Sequence, residues 1–117
     1  MHELSIAAAV VESATGVARE QGAEAVAGVT VRIGELSGVV PDALRFSFSL
    51  VAEGTALDGA ELVIEEVPAH ARCGGCDTRF AVGSPPDLWC PHCDIAAAEL
   101  LTGRELELAE VRMAGSP

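Results

Sequence analysis

The sequence of 117 residues is long enough for one domain, or for one domain that carries a small metal-held appendage. Half of the residues are hydrophobic and only 3% are aromatic, so the core has to be built mainly from aliphatic side chains. The net charge of −11 argues against nucleic acid as a partner, because affinity for a phosphate backbone comes largely from Lys and Arg.

The start of the chain does not look like a secretory signal. Residues 1–20 lack a basic region, and Glu3 and Glu12 interrupt their apolar run. No apolar run is long enough to cross a membrane. We therefore expect a cytoplasmic protein with no membrane partner, where thiols stay reduced and paired cysteines indicate a metal more often than a disulfide.

The first elements in chain order are a helix and a strand. Apolar residues recur at helical spacing over residues 4–21, and Gly22 is a suitable C-terminal stop. After it, Val29, Val31 and Ile33 alternate with polar residues, which predicts a half-buried strand.

A second helix and a second strand follow. Pro41 suits the first position of a helix, Asp42 suits its first turn, and Gly54 suits its end. Further on, Leu62 and Ile64 alternate with their neighbours and predict another strand.

The segment 69–103 is poor in periodicity and rich in Cys, Gly and Pro, so we expect a bound metal to hold it together. After it, Leu106 and Leu108 predict a last strand that returns to the first sheet. The predicted fold class is α/β (α+β), with two helices on a small three-stranded sheet and an inserted zinc-ribbon-like module. The expected domains are 1–68 plus 104–117, and 69–103.

All the cysteines of the chain fall into two C-x2-C pairs separated by thirteen residues. Each pair places two sulfur atoms on one side of a tight loop, and two such loops can supply the four corners of a tetrahedron. Four thiolates fill the coordination shell of zinc and leave no position for a substrate. The spacing therefore predicts a structural zinc site with the ligands Cys73, Cys76, Cys90 and Cys93.

Other interpretations of the cysteine segment stay open. Trp89–Cys93 resembles locally the W-C-x-x-C site of thiol oxidoreductases, although that site needs a strand before it and a long helix after it. Cysteine spacing does not distinguish zinc from the iron of a rubredoxin-like site. His70 and His92 lie close in sequence to the cysteines, and either could replace a thiolate, although both suit a surface position.

The start of the chain offers a second and different set of ligands. The α-amine of Met1, the amide nitrogen of His2 and the imidazole Nδ1 of His2 can close two fused chelate rings around one ion. Three nitrogen atoms in one plane suit Ni(II) or Cu(II). The Glu3 amide or a nearby carboxylate could complete the plane. Taken alone, a histidine at position 2 is more often a solvated tail residue.

Taken together, these features resemble the HypA/HybF family of nickel-insertion metallochaperones for hydrogenase. The resemblance is carried by Met1-His2-Glu3, by the segment 32–37 after the first strand, by the two cysteine pairs and by the strand that follows them. It extends over essentially the whole chain, and the combination is far more specific than any single motif.

The resemblance implies a nickel site and a zinc site. It implies that Met1 and His2 bind nickel, and that Glu3 contributes through its backbone or shapes the site. Some members of the family add a carboxylate from the loop before the second helix, for which Asp42 is the candidate; its alternative role is to complement the helix dipole. It also implies that zinc is bound by Cys73, Cys76, Cys90 and Cys93.

The resemblance further implies a protein that is not an enzyme. Ni(II) is its transient cargo and Zn(II) its structural metal. The expected partners are a HypB-type GTPase, the large subunit precursor of a [NiFe]-hydrogenase and, in some organisms, urease maturation proteins. Two other hypotheses remain at this stage: a zinc-ribbon interaction module without a nickel role, and a small thiol oxidoreductase.

Overall fold

The computed structural model describes residues 2–114. Over that range it has two helices and six strands, which form two small sheets. Their order along the chain is α1 His2–Glu20, β1 Val26–Gly34, α2 Pro41–Ala52, β2 Glu61–Val67, β3 His70–Cys73, β4 Arg79–Ala81, β5 Ala97–Thr102 and β6 Leu106–Met113. The expected fold class is confirmed.

The first sheet has the strand order β2-β1-β6, with β1 in the middle. The predicted last strand therefore returns to the first sheet, as expected. The chain divides into two compact units. One consists of Met1–Val31, Val39–Glu65 and Glu107–Pro117, and the other of Arg32–Gly38 and Glu66–Leu106.

Glycine lies at or just beyond the end of both helices, at positions that the sequence indicates. Gly22 has a φ of 71°, and the amide of Ala23 donates to the carbonyl of Ala18 at 2.8 Å, which closes α1. Gly54, two residues beyond the end of α2, has a φ of 77°. Glycine adopts such angles at little cost. Gly22 therefore suits the end of α1, whereas α2 already leaves the helical conformation at Glu53, whose ψ is 127°, and Gly54 continues the turn.

The core of the first unit includes the contact between α1 and α2, and buried side chains of β1 also belong to it. It is aliphatic apart from one phenylalanine, in agreement with the low aromatic content. Neither of the described helices has the length and apolar character that crossing a membrane requires. The buried apolar side chains of this unit are Ala7, Val11, Ala14, Ala18, Val26, Val29, Val31, Leu44, Phe48, Ala52 and Leu57.

The expectation of a half-buried β1 is only partly correct. Arg32 is exposed, but Thr30, which the alternation placed on the exposed face, is 7% exposed. Thr30 lies on the central strand of the sheet, and its hydroxyl donates to Glu110 Oε1 of the neighbouring β6 at 3.4 Å. A central strand can bury a hydroxyl that has a hydrogen-bond acceptor.

The second unit contains a sheet that the sequence did not predict. Its strand order is β4-β3-β5, and both neighbours run antiparallel to β3. These strands contain only three to six residues, and the pairing of β3 with β5 is interrupted by irregularities. Segments this short carry too few residues for an alternation to be recognised among the cysteines, glycines and prolines.

The segment that follows β1 is bound into the second unit. The amides of Gly34, Glu35 and Leu36 donate to the carbonyls of residues 105, 67 and 103, and the carboxylate of Glu35 accepts from the Ala69 amide at 2.8 Å. Leu36 packs against the core of this unit, which comprises Ala69, Ala71, Cys73, Phe80, Val82 and Cys90. Two cysteines therefore belong to the same core that holds Leu36.

The close approach of Gly34 to residue 103 generates a prediction. A Cβ at position 34 would clash with backbone atoms of Gly103, which cannot move aside as a side chain can. We expect Gly34→Ala to lower the free energy of unfolding by about 2 kcal/mol or more. Gly16→Ala is the matched control, because Gly16 lies in α1 with nothing within 4 Å of the new Cβ.

The measurement is urea unfolding of the zinc-loaded protein, followed by circular dichroism. We expect Gly16→Ala to raise the free energy of unfolding by about 0.5–1 kcal/mol, because glycine is a poor helix former. Equal effects of the two substitutions would contradict the tight packing assigned to Gly34.

Candidate metal centres

The two cysteine pairs lie in two loops of the second unit that have the same construction. Cys73 Sγ accepts hydrogen bonds from the amides of Gly75 and Cys76 at 3.2 and 3.4 Å. Cys90 Sγ accepts in the same way from the amides of residues 92 and 93, at 3.4 and 3.5 Å. In each pair the first cysteine is buried and the second is more exposed. Each loop thus holds one sulfur rigidly and presents the other.

An aspartate follows each pair and completes the repeat. Asp77 and Asp94 have φ angles of 61° and 57°, and their amides donate to the carbonyls of Cys73 and Cys90. Aspartate tolerates this left-handed conformation better than most residues. The repeated pattern C-x-x-C-D is visible in the sequence, but it was not recognised there as a turn signal.

The four sulfur atoms are grouped tightly enough for a single ion. All of them lie within 4.8 Å of one another, and Cys76 Sγ and Cys90 Sγ are 3.7 Å apart. Zinc–sulfur bonds of about 2.3 Å in a tetrahedron place the sulfurs about 3.8 Å apart. The cluster therefore has the size and donor set of a structural tetrathiolate zinc site.

The thiols of this cluster influence one another's protonation. The pKa of Cys76 is lowered to about 6, chiefly by the Thr78 hydroxyl, whose oxygen lies 3.0 Å from its sulfur. The pKa of Cys93 is raised to about 12, chiefly by Cys76. The pKa of Cys73 is lowered, first by the Cys76 amide. Cys76 therefore loses its proton readily, whereas Cys93 resists a further negative charge beside it. This is expected of thiols that are arranged to bind a dication.

The histidines near the cysteines are not members of the cluster. Among residues 2–114, the group that could hold a metal contains the four cysteines and no histidine. His70 lies on β3 with Nδ1 3.4 Å from the hydroxyl oxygen of Thr102, and the His92 side chain is exposed. The interpretation of both as ordinary residues of the module therefore fits better than their use as ligands.

A thiol oxidoreductase needs a helix that begins at its cysteine pair, and residues 94–102 do not form one. The chain after Cys93 passes through a turn into β5, and the amide of Cys90 donates to the carbonyl of Ile95 at 2.8 Å. Trp89 pairs with Ala96 across the same hairpin. The second cysteine pair therefore lies at the tip of a hairpin and not at the start of a helix, where a dithiol would gain reactivity from the helix dipole.

The second group of candidate ligands lies in the first unit, where α1 begins. His2 Nε2 lies 3.1 Å from Glu3 Oε2, and the same oxygen accepts a hydrogen bond from the Val40 amide at 3.2 Å. Val40 is the N-cap residue of α2, and its own side chain makes no capping bond. The Glu3 carboxylate therefore joins the starts of the two helices.

The environments of His2 and Glu3 differ. The side chain of His2 is 57% exposed, whereas that of Glu3 is 12% exposed. The Val40 amide is the main cause of the lowered pKa of the Glu3 carboxyl. The role of Val40 cannot be predicted from the sequence, because a backbone amide has no signature there. The imidazole of His2 is therefore accessible, whereas the Glu3 carboxylate is held by its hydrogen bond to the Val40 amide.

The other predicted nickel ligands are Met1 and Asp42. Met1 lies outside the described residues. Asp42 is exposed in the first turn of α2, two residues after the amide that binds Glu3. Its place fits either a contribution to the site or the dipole role that an acidic residue has in a first turn.

Comparison with known proteins identifies a family for the whole chain. The family model described as "HypA: Hydrogenase/urease nickel incorporation, metallochaperone, hypA" matches residues 1–113. A hydrogenase maturation factor HypA of Streptomyces avermitilis is 49% identical over 112 residues, which are 95% of this chain and 86% of the relative. One of Chloroflexus aggregans is 51% identical over 108 residues, or 92% and 95% of the two chains.

Solved structures show the same fold. The solution structure of the Ni metallochaperone HypA from Helicobacter pylori has a TM-score of 0.66 and 21% identity, and the match covers 95% of this chain and 96% of the other. A second solution structure, of a HypA protein, has a TM-score of 0.73 and 23% identity, with 99% and 98% covered. The chain belongs to the HypA family of metallochaperones for nickel incorporation into hydrogenase and urease.

Proposed function

We propose that the protein binds Ni(II) at its N-terminus and delivers it to the large subunit precursor of a [NiFe]-hydrogenase. The observation that carries this proposal is the contact of the Glu3 carboxylate with both the His2 ring and the Val40 amide. The first residues of a chain normally fray, but the Glu3 carboxylate is hydrogen-bonded to the start of a second helix. Met1 and His2 provide the nickel ligands.

The position of His2 at the start of α1 suits the chelate. The amides of a first helical turn are not used by the helix's own ladder of hydrogen bonds. Withdrawing an amide proton there to bind a metal leaves the ladder intact. With Nε2 directed at Glu3, the other ring nitrogen, Nδ1, can close the chelate ring with the amide of its own residue. The Glu3 amide or the carboxylate of Asp42 completes the plane.

The tetrathiolate cluster serves as the structural zinc site, with Cys73, Cys76, Cys90 and Cys93 as ligands. Support comes from the separations of the sulfurs and from the two matching loops. The zinc ion offsets part of the negative charge of the thiolates and holds the segment 69–103 as a domain. The residues 1–68 and 104–117 form the nickel-binding domain.

The protein exchanges nickel and does not transform a substrate, so it acts without being an enzyme. A HypB-type GTPase supplies or assists the loading of nickel, and urease maturation proteins are a second destination in organisms that contain them. The compartment is the cytoplasm, where the thiols stay reduced.

The first prediction concerns the nickel site. His2→Ala removes the imidazole and one chelate ring, and we expect it to weaken nickel binding by at least about a hundredfold, beyond the effect of losing an outer contact. The measurement is nickel titration of the untagged, zinc-loaded protein, with absorption spectroscopy to detect a square-planar ion.

The matched controls are His70→Ala and His92→Ala, which remove the other two histidines of the chain. We expect both variants to bind about one nickel ion with the affinity of the parent, because neither histidine belongs to the proposed site at the N-terminus. If His2→Ala binds nickel as the parent does, the N-terminal site does not exist, and a zinc-ribbon interaction module is the better interpretation.

The carboxylate of Glu3 provides a second prediction. Glu3→Ala removes the acceptor of the Val40 amide and the partner of the His2 ring, so we expect nickel affinity to fall about tenfold, as for other groups that orient a ligand. Glu3→Gln keeps an amide oxygen that can still accept a hydrogen bond from the Val40 amide. Its nickel affinity should therefore lie between those of the parent and of Glu3→Ala. The same titration checks this order, and equal affinities of all three proteins would show that Glu3 does not position the site.

The third prediction concerns zinc. Cys73→Ser replaces a buried ligand that is also part of the core of the second unit, so we expect loss of zinc and disordering of that unit. The control is His92→Ala, which should retain zinc. Metal analysis gives the zinc content, and the fluorescence of Trp89, the only tryptophan, reports on the second loop. Retention of one tightly bound zinc by Cys73→Ser would exclude this cysteine as a ligand.

A further inference from the structure

The two cysteine loops correspond as far as the residue that follows each aspartate. The amide of Cys73 donates to the carbonyl of Thr78 at 2.9 Å, and the amide of Cys90 donates to the carbonyl of Ile95 at 2.8 Å. Each of these carbonyls lies five residues after the first cysteine of its pair. Thr78 and Ile95 therefore occupy equivalent positions, and the side chain is polar in one loop and apolar in the other.

The hydroxyl of Thr78 contacts the sulfur of the first pair that solvent reaches. Cys76 is exposed, whereas its counterpart Cys93 in the second loop is half-buried. The hydroxyl oxygen of Thr78 lies 3.0 Å from Cys76 Sγ. A cysteine binds a metal as the thiolate, which has no proton and only accepts hydrogen bonds. In the zinc-loaded cluster the Thr78 hydroxyl is therefore the donor.

The equivalent side chain of the second loop covers the cluster instead. Ile95 has no donor, and its Cδ1 atom lies against the first loop, where a Cβ at Gly75 would be 2.7 Å from it. The same Cβ position is 3.7 Å from Cys93 Sγ and 3.8 Å from Cys73 Sγ. An apolar side chain beside these two sulfurs limits their contact with water. Cys76 lacks such cover and has a hydroxyl donor in its place.

The turn that carries Thr78 is also tied to the sheet of the second unit. Asp77 lies between Cys76 and Thr78, and its carboxylate accepts a hydrogen bond from the Arg72 guanidinium of β3 at 2.9 Å. The same guanidinium donates to Glu99 of β5 at 3.1 Å. These bonds restrain the turn, so the hydroxyl is already placed beside the sulfur that it contacts.

We propose that Thr78 is a positioning residue for the zinc ion, whose hydroxyl orients the Cys76 thiolate and protects it from electrophiles. This inference rests on the zinc site of the proposed function. Partners that hydrogen-bond to a metal ligand fix its orientation and strengthen metal binding. A donor that shares the charge of a thiolate also lowers its nucleophilicity. The first loop thus protects its exposed ligand with a hydrogen bond, and the second loop protects its own with apolar cover.

The test compares Thr78→Val, which keeps the shape of the side chain but removes the hydroxyl, with Thr78→Ser, which keeps the hydroxyl. Thr15→Val is the matched control, because the Thr15 hydroxyl donates to the Val11 carbonyl within α1. Zinc affinity is measured by competition with a chromogenic chelator. We expect Thr78→Val to bind zinc about tenfold more weakly, and both Thr78→Ser and Thr15→Val to bind it as the parent does.

A second readout distinguishes positioning of one sulfur from general loosening of the unit. Iodoacetamide is added to each zinc-loaded protein, and mass spectrometry follows alkylation at every cysteine. We expect Thr78→Val to raise the alkylation rate of Cys76 at least about threefold more than that of Cys93. An equal rise at all four cysteines would overturn the role of Thr78, because a loosened unit exposes every thiolate.

The outcomes also separate the role of Thr78 from the zinc site itself. If the parent and Thr78→Val bind one zinc ion with equal affinity, the role of Thr78 is overturned and the zinc site stands. Equal weakening by Thr78→Ser, which retains the donor, would overturn the role as well. A parent that binds no zinc would overturn both the site and the role of Thr78.

Discussion

The mutual proximity of four thiols is the constraint on which the second unit depends. Sulfur atoms within 4.8 Å of one another cannot all carry a negative charge without a cation between them. Two of the cysteines are also core residues, packed with Phe80 and Leu36, so the charge balance of the cluster and the packing of the unit are inseparable. A unit with such short strands gains from the metal the stability that its small core cannot supply.

In the first unit a single carboxylate connects the starts of two helices. One carboxylate oxygen of Glu3 lies within 3.2 Å of both the Val40 amide and the His2 ring. A single side chain thereby caps α2 and restrains α1, although the two helices are separated in sequence by β1. The hydrogen bond to a helix start also explains the lowered pKa of Glu3, since amides at that end favour the ionised carboxylate.

Features that depend on local sequence were predictable, and features that depend on the fold were not. Individual residues indicate where the helices begin and end, as Pro41, Gly22 and Gly54 do. The cysteine cluster is likewise predictable, because the spacing of its thiols is typical of a metal site. The burial of Thr30 and the second sheet do not, because they arise from neighbours that the chain brings together from a distance. The capping of Val40 by Glu3 belongs to the same class, since 37 residues separate the two partners.

The two centres differ in the way that their chemistry requires. In the second unit each loop buries its first sulfur among apolar side chains, so a bound ion there is enclosed by four strong ligands and leaves slowly. The His2 ring is more than half exposed, and a metal bound to it can be approached by the ligands of another protein before it is released. Transfer by ligand exchange needs that open side. The proposed nickel site at His2 therefore suits a cargo, and the tetrathiolate cluster suits a structural metal.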